Sequence, residues 1–323
     1  MKKKIQIITT LGPSSLNAAF LKFSNNNIDL LRLNMSHIEP EELEEKIKFI
    51  RKFTKTNICV DTEGAQIRTK VLKPRDLKKN QNLKISRAKD KKFLSLYPYE
   101  IFEKLKTKDI LNIGFNNLLI EIKSKKNNLI NAKVIRAGKL ENNKGVHIEN
   151  RKIGINFITE KDKNAILIAK KNNIKHFALS FTNSSKDVEK FKAILGDSCQ
   201  KIFKIETKRA VKNFSKIIKN ADNFLIDRGD LSKDITVVQI PKIQRKLMEI
   251  KKNFRKKKIF IATNLLESMI ENNYPTRGEA NDIYSSLEMG ANGLVLAAET
   301  AIGKHPISCV KFIKKMILSF KKY

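Results

Sequence analysis

Residues able to do chemistry gather where short apolar runs of this chain end. Arg32, Asn34, Ser36 and His37 close one run; Asp61 and Thr62 close the next, with Arg68 a few residues on. Lys204 and Glu206 close a later run, followed by Asp227, Arg228, Gly229 and Asp230, and then by Thr263 and Asn264. The last run leads to Glu299 and Thr300. Glu206 and Asp230 are hard oxygen donors that suit Mg2+, with substrate oxygens completing the coordination. Arg32, Arg68, Lys204 and Arg228 are cations able to neutralise a transferring phosphoryl group. Together they fit metal-assisted phosphoryl transfer to or from a small anion. Hydride transfer and attack by a protein nucleophile fit less well, because the chain has no GxGxxG fingerprint, Walker loop or GxSxG elbow. A single acid at a strand end is as readily a helix cap, so Asp230 alone carries little weight. Lys204 and Glu206 carry more, since alternation turns them to one face of a strand together with Ile202.

The elements that must position these residues are legible as a rhythm. Strand patterns fall at Ile5 to Thr9, Ile28 to Leu33 and Asn57 to Asp61. Later strands fall near His176 to Ser180, Lys201 to Glu206, Phe224 to Asp227, Lys258 to Thr263 and Gly293 to Leu296. Amphipathic stretches alternate with them, among them Pro40 to Phe53, with an acidic first turn and basic later turns as the helix dipole favours. Eight β–α units predict an α/β fold, a (β/α)8 TIM barrel whose chemistry sits at the C-terminal ends of its strands. Between the third and fourth strands, short alternating segments separated by Asn, Lys and Gly predict a small β-rich insert. The expected organisation is a first barrel part over 1–69, a lid over 70–150 and a second barrel part over 151–323.

Composition narrows the partners. The 323 residues carry 66 Lys and Arg against 33 Asp and Glu, a formal net charge of +33. The excess is 54 Lys against 12 Arg, beside 31 Asn. Arg is the preferred residue for bidentate contacts to bases and phosphates, so this Lys-rich balance reads as a solvated surface. No dedicated nucleic-acid partner is expected. Cys59, Cys199 and Cys309 form no CxxC pair, and no apolar run approaches a membrane span, so a cytoplasmic setting without a membrane partner is expected. Four scattered His make a zinc site unexpected.

Eight ordered segments resemble the pyruvate kinase family. They are Ile7 to Ser14 (IITTLGPS), Leu31 to His37 (LRLNMSH), Asp61 to Thr69 (DTEGAQIRT) and Lys204 to Glu206 (KIE). Next come Arg228 to Leu231 (RGDL), Ala262 to Met269 (ATNLLESM), Pro275 to Glu279 (PTRGE) and Glu299 to Gly303 (ETAIG). The resemblance implies transfer of a phosphoryl group from phosphoenolpyruvate to ADP, giving ATP and pyruvate. It implies that Lys204 and Arg32 contact the phosphoryl group, with Arg228 among the catalytic residues. Glu206 and Asp230 would hold Mg2+ or Mn2+. Thr263 and the backbone at Gly229 and Asp230 would cradle the substrate carboxylate, Thr263 also serving proton delivery. Asn34, Ser36, Asp61 and Thr62 match a site for a monovalent cation, usually K+. His37 and Arg68 match residues facing the nucleotide phosphates, with Asn34 beside them. The partners implied are thus a small anionic substrate and a nucleotide, with a homo-oligomer through the barrel as a further expectation.

Several positions depart from the family pattern. Glu63 replaces a lysine, where a carboxylate would oppose a polyanionic nucleotide; Ala65 replaces a proline and Gln66 a glutamate, which bears on the K+ requirement. Asp227 stands where alanine is usual, and Ala297 and Ala298 where Ser-Gly is usual. The lid carries Asn112-Ile113-Gly114 and Val146-His147-Ile148-Glu149-Asn150 in place of the usual motifs, and Thr182 and Asn183 follow the fourth strand where an arginine is expected. The family's usual C-terminal α/β regulatory domain is not expected. These departures keep two alternatives open: a paralogue acting on another enolpyruvyl, 2-oxo acid or small phosphorylated compound, and a catalytically inactive binding protein.

Overall fold

The computed structural model describes residues 4–322 apart from 89, 91, 115–117 and 152. It divides into two compact units, one running up to Gly64 and resuming at Glu160, the other spanning Ala65–Thr159.

The first unit is built on eight parallel strands. In chain order they are β1 (Gln6–Thr10), β2 (Leu30–Asn34), β3 (Asn57–Asp61), β4 (His176–Leu179), β5 (Gln200–Ile205), β6 (Asn223–Asp227), β7 (Lys258–Ala262) and β8 (Gly293–Leu296). Each pairs with its chain neighbours, and β8 pairs with β1, so the sheet closes into the expected barrel. The main intervening helices are α1 (Ala18–Ser24), α2 (Pro40–Phe53), α3 (Glu160–Lys171), α4 (Ser185–Leu195), α5 (Lys208–Ile217), α6 (Ile240–Lys252), α7 (Arg277–Glu288) and α8 (Pro306–Lys322). Local sequence explains their limits. Helix α2 starts at Pro40, which needs no amide partner in the first turn, and buries Leu43, Ile47 and Ile50 on one stripe. Helices α4 and α7 each open with a capping box, Ser184 with Asp187 and Thr276 with Glu279.

Every strand contributes to a layer of apolar side chains inside the barrel. Ile8, Leu30, Cys59, Ala178, Ile202, Leu225, Phe260, Ala262 and Val295 form one buried cluster. Filling of this kind makes a barrel interior a packed core, so ligands are handled only at its mouth. The seam between the first and last strands is reinforced above that layer, where the Thr300 hydroxyl donates to the Thr10 carbonyl at 2.9 Å.

The second unit is β-rich, as its short alternating segments predict. Seven strands close a second barrel: Ile67–Lys70, Asn82–Ser86, Leu94–Tyr97, Ile110–Ile113, Leu118–Lys126, Leu129–Arg136 and Gly145–Ile148. Their alternate residues supply its core, including Ile85, Leu94, Leu111, Ile120, Ile130 and Val134. Among the described residues, no helix is long and apolar enough to cross a membrane.

Candidate active site

Strand alternation carries the barrel interior upward in steps of two residues. Two positions beyond Ile8, Leu30, Cys59, Ala178, Ile202 and Leu225 lie Thr10, Arg32, Asp61, Ser180, Lys204 and Asp227, all buried. The next layer of the barrel is therefore polar and charged, at the C-terminal mouth. Lys204 is its centre. Its Nζ lies 2.7 Å from Glu206 Oε1, 3.1 Å from Asp61 Oδ2 and 3.7 Å from Asp227 Oδ2. It also donates to Ser180 Oγ at 3.1 Å. Arg32 reaches the same Asp61 oxygen through Nε at 2.6 Å and anchors Nη1 on the Thr10 hydroxyl at 2.8 Å.

The charges do not balance. Two cations, Arg32 and Lys204, face three buried carboxylates, Asp61, Glu206 and Asp227. Burial works against the Lys204 ammonium, but Asp61, Glu206 and Asp227 outweigh it and raise its pKa. Arg32 is likewise raised, Asp61 countering the cost of its burial. Glu206 shows the deficit. Burial, reinforced by Asp230, Asp227 and Asp61, pushes its carboxyl up to about 8 despite the nearby ammonium. Lys204 is shared among three acids and cannot hold them all ionised. Asp227 is the better served carboxylate, its pKa lowered because Lys204, Arg32 and the Thr263 hydroxyl together overcome its burial.

The loop after β7 supplies Thr263, held at φ +75°, a region that β-branched residues rarely enter. Arg228 braces it: Nε and Nη2 donate to the Thr263 carbonyl at 3.1 and 2.7 Å, Nη2 also reaches the Asn264 carbonyl, and Nη1 grips both oxygens of Asp282. Sequence groups Arg228 with the phosphoryl-binding cations, whereas these contacts turn its guanidinium onto the loop. Gly229 lets the short helix Arg228–Asp234 approach Thr263, since a Cβ there would lie 2.7 Å from Thr263 Cγ2. Glu299 fixes the loop from the other side. Its buried carboxylate accepts the amides of Leu265 and Leu266, each at 3.2 Å, and that of Ala297 at 2.7 Å.

Asp230 joins the acids, although Lys233 also pairs with it at 2.7 Å. One oxygen from each of Glu206, Asp227 and Asp230 can be chosen so that all lie within 4.8 Å of one another. Glu206 Oε1 is buried and accepts no hydrogen bond, its contact with Lys204 being an ion pair of poor hydrogen-bond angle. Three hard donors, one of them poorly satisfied, fit a divalent cation.

The remaining expected residues fall into separate groups. Asn34 and Asp61 are register partners on adjacent strands, and Ser36 donates its amide to Asn34 Oδ1. Asp61 is engaged by Arg32, Lys204 and Ser180, and Thr62 Oγ1 accepts the Ser180 amide. His37 is exposed just beyond β2. Arg68 belongs to the second unit, where its Nη1 donates to the Asn143 carbonyl at 3.3 Å. Glu63, expected from sequence to oppose a polyanionic nucleotide, does not lie at the surface. It is buried 3.6 Å from Lys161, whose ammonium it shares with Glu39 at 3.1 Å. Sequence reasoning missed Ser180 and Thr10, whose signal was a position two residues beyond an inward apolar side chain.

Comparison with known proteins follows the same lines. A protein-family model described as "Pyruvate kinase, barrel domain" matches residues 2–310. The chain is 29% identical to a pyruvate kinase of Thermotoga maritima, over 99% of this chain and 72% of that protein. It is 32% identical to pyruvate kinases of Methanocaldococcus jannaschii and Geobacillus stearothermophilus, in each case over 98% of this chain. It spans 69% of the former and 57% of the latter.

Proposed function

The chain belongs to the pyruvate kinase family, and from that premise we propose that it transfers a phosphoryl group from phosphoenolpyruvate to ADP. The phosphorus–oxygen bond of the enol phosphate breaks and a new one forms to the terminal phosphate oxygen of ADP. The enolate left behind takes a proton at carbon and becomes pyruvate. The observation that carries this reading is Lys204, a buried ammonium held among Asp61, Glu206 and Asp227 beside Arg32.

In this reading Lys204 and Arg32 present fixed positive charge to the transferring group. Their carboxylate partners preorganise them, so little reorganisation is needed when charge develops in the transition state. Glu206, Asp227 and Asp230 would hold a divalent cation, which when bound screens and orients phosphoryl oxygens. Thr263, braced by Arg228 and Glu299, would hold its hydroxyl near the carbon to be protonated. His37 would face the nucleotide phosphates.

The test is pyruvate formation from phosphoenolpyruvate and ADP with Mg2+, at several K+ concentrations. Turnover that Lys204→Ala abolishes in folded protein supports the proposal; no pyruvate from well-folded wild type refutes it. One observation favours a second reading, a paralogue acting on another enolpyruvyl, 2-oxo acid or small phosphorylated compound. Asp227 places an additional carboxylate in the mouth. That reading predicts thermal stabilisation by such a compound and little by ADP.

A further inference from the structure

We propose that Asp227 is a built-in third oxygen ligand that holds the divalent cation before any anionic substrate arrives, occupying donors a substrate carboxylate would otherwise use. The inference rests on the cation site of the proposed function and concerns the order and selectivity of binding there.

Three observations carry it. Asp227 is 7% exposed and supplies one of three carboxylate oxygens lying within 4.8 Å of one another. Cation affinity in oxygen sites rises with the number of charged ligands, so a third carboxylate lessens dependence on oxygens brought by a substrate. The side chain is also pinned. Its Oδ1 accepts the Thr263 hydroxyl at 2.6 Å and the Asp230 amide at 3.4 Å, while Oδ2 lies 3.7 Å from Lys204. Arg228 holds the Thr263 carbonyl and so fixes the backbone that carries this hydroxyl. Finally, the Thr263 hydroxyl and Asp230 amide are the donors on this rim that Asp227 engages. An incoming carboxylate must displace it from them and tolerate its charge. The alanine usual at this place in the resembled family can neither ligate nor occupy those donors.

The experiment measures Mn2+ binding to the full chain by electron paramagnetic resonance of free Mn2+, with and without oxalate, a small dianion bearing two carboxylates. Asp227→Ala and Asp227→Asn are compared with wild type. The asparagine variant retains an acceptor for Thr263 and guards against a folding failure of the alanine variant. Thermal melts in chelator report folding of each. Wild type is expected to bind one Mn2+ per chain without oxalate, and both variants at least tenfold more weakly, in keeping with the loss of one charged ligand. Oxalate should strengthen Mn2+ binding at least tenfold in Asp227→Ala and less than threefold in wild type. Mn2+ affinities within twofold across folded variants overturn the inference, as does equal strengthening by oxalate. Wild type that takes up Mn2+ only with oxalate overturns this inference and leaves the proposed function standing. Absence of Mn2+ binding in wild type and Asp227→Ala, with or without oxalate, refutes both.

Discussion

Replacing Glu206 by glutamine in cation-free protein tests the charge imbalance at the mouth most directly. Burial and the neighbouring acids push Glu206 from 4.5 up to about 8. The folded chain therefore takes up a proton at this site between those values, where the unfolded chain has already lost it. The contribution of Glu206 to stability is full below 4.5 and falls as pH rises through about 8. The slope is roughly 1.4 kcal/mol per pH unit, so at neutral pH the wild type forgoes about 3 kcal/mol. Glutamine does not titrate and removes this loss. It keeps an oxygen for the Phe181 amide, which Glu206 Oε2 accepts at 2.6 Å. Its NH2 would face Lys204, 2.7 Å from the present Oε1, offsetting roughly 1 kcal/mol. The variant should thus be more stable than wild type by about 2 kcal/mol at neutral pH. Urea denaturation of both proteins in chelator, from pH 5 to pH 8, reads the difference. Wild type should lose at least 2 kcal/mol relative to the variant, a conservative fraction of the roughly 4 kcal/mol that the slope allows over that range. Millimolar Mg2+ should remove most of the relative slope by taking the place of the proton. A difference that stays constant across the range refutes the reasoning, because Glu206 would then be ionised throughout and the acids adequately compensated.

Other outcomes follow from the same contacts. Gly229→Ala should cost about 1–3 kcal/mol in urea denaturation, because its Cβ would meet Thr263 Cγ2 at 2.7 Å; an unchanged midpoint would show that the loop yields freely. Glu299→Ala should cost about 3 kcal/mol by leaving three amides without their acceptor, and should lower turnover at temperatures where the variant remains folded. Cys59, Cys199 and Cys309 are all buried, and burial followed by Glu299 pushes the Cys309 thiol up to about 12. Native protein at pH 8 should show no fast-reacting thiol with Ellman's reagent, and three after denaturation; a single fast thiol in native protein would contradict that burial.

The barrel was legible because each strand is an apolar run with a polar end, and closing eight of them leaves little freedom in where those ends converge. Lys204 and Glu206 could be placed from alternation alone, since Ile202 marks the inward face. Ser180 and Thr10 obey the same rule but escaped notice, because small hydroxyl residues are ordinary in strands and only their neighbours make them part of the site. Long side chains resist such reading. Arg228 sits at a strand end as a phosphate-binding cation would, yet its reach lets it turn to Asp282 and two loop carbonyls. Compensation between distant segments is equally hidden. Glu63 reads as a repulsive charge until Lys161, from beyond the inserted unit, is found beside it.

Net charge misleads for a related reason. Although the chain carries a formal +33, the buried cluster at its barrel mouth has more carboxylates than cations. Charges separated by more than about 8 Å of physiological solution are largely screened, so the surface Lys excess does little for the balance inside the mouth. Within the mouth, separations of 2.6–3.7 Å and exclusion of water make local stoichiometry decisive. Asp227 shows the consequence. As a sequence departure it adds one negative charge to an excess of positive ones and appears trivial. In the barrel it changes the ratio of buried acids to bases from two against two to three against two, counting Asp61, Glu206 and Asp227 against Arg32 and Lys204. That ratio leaves a net negative charge, which a bound proton or cation would offset. The proton on Glu206 and the divalent cation then become alternative ways of meeting the same local deficit.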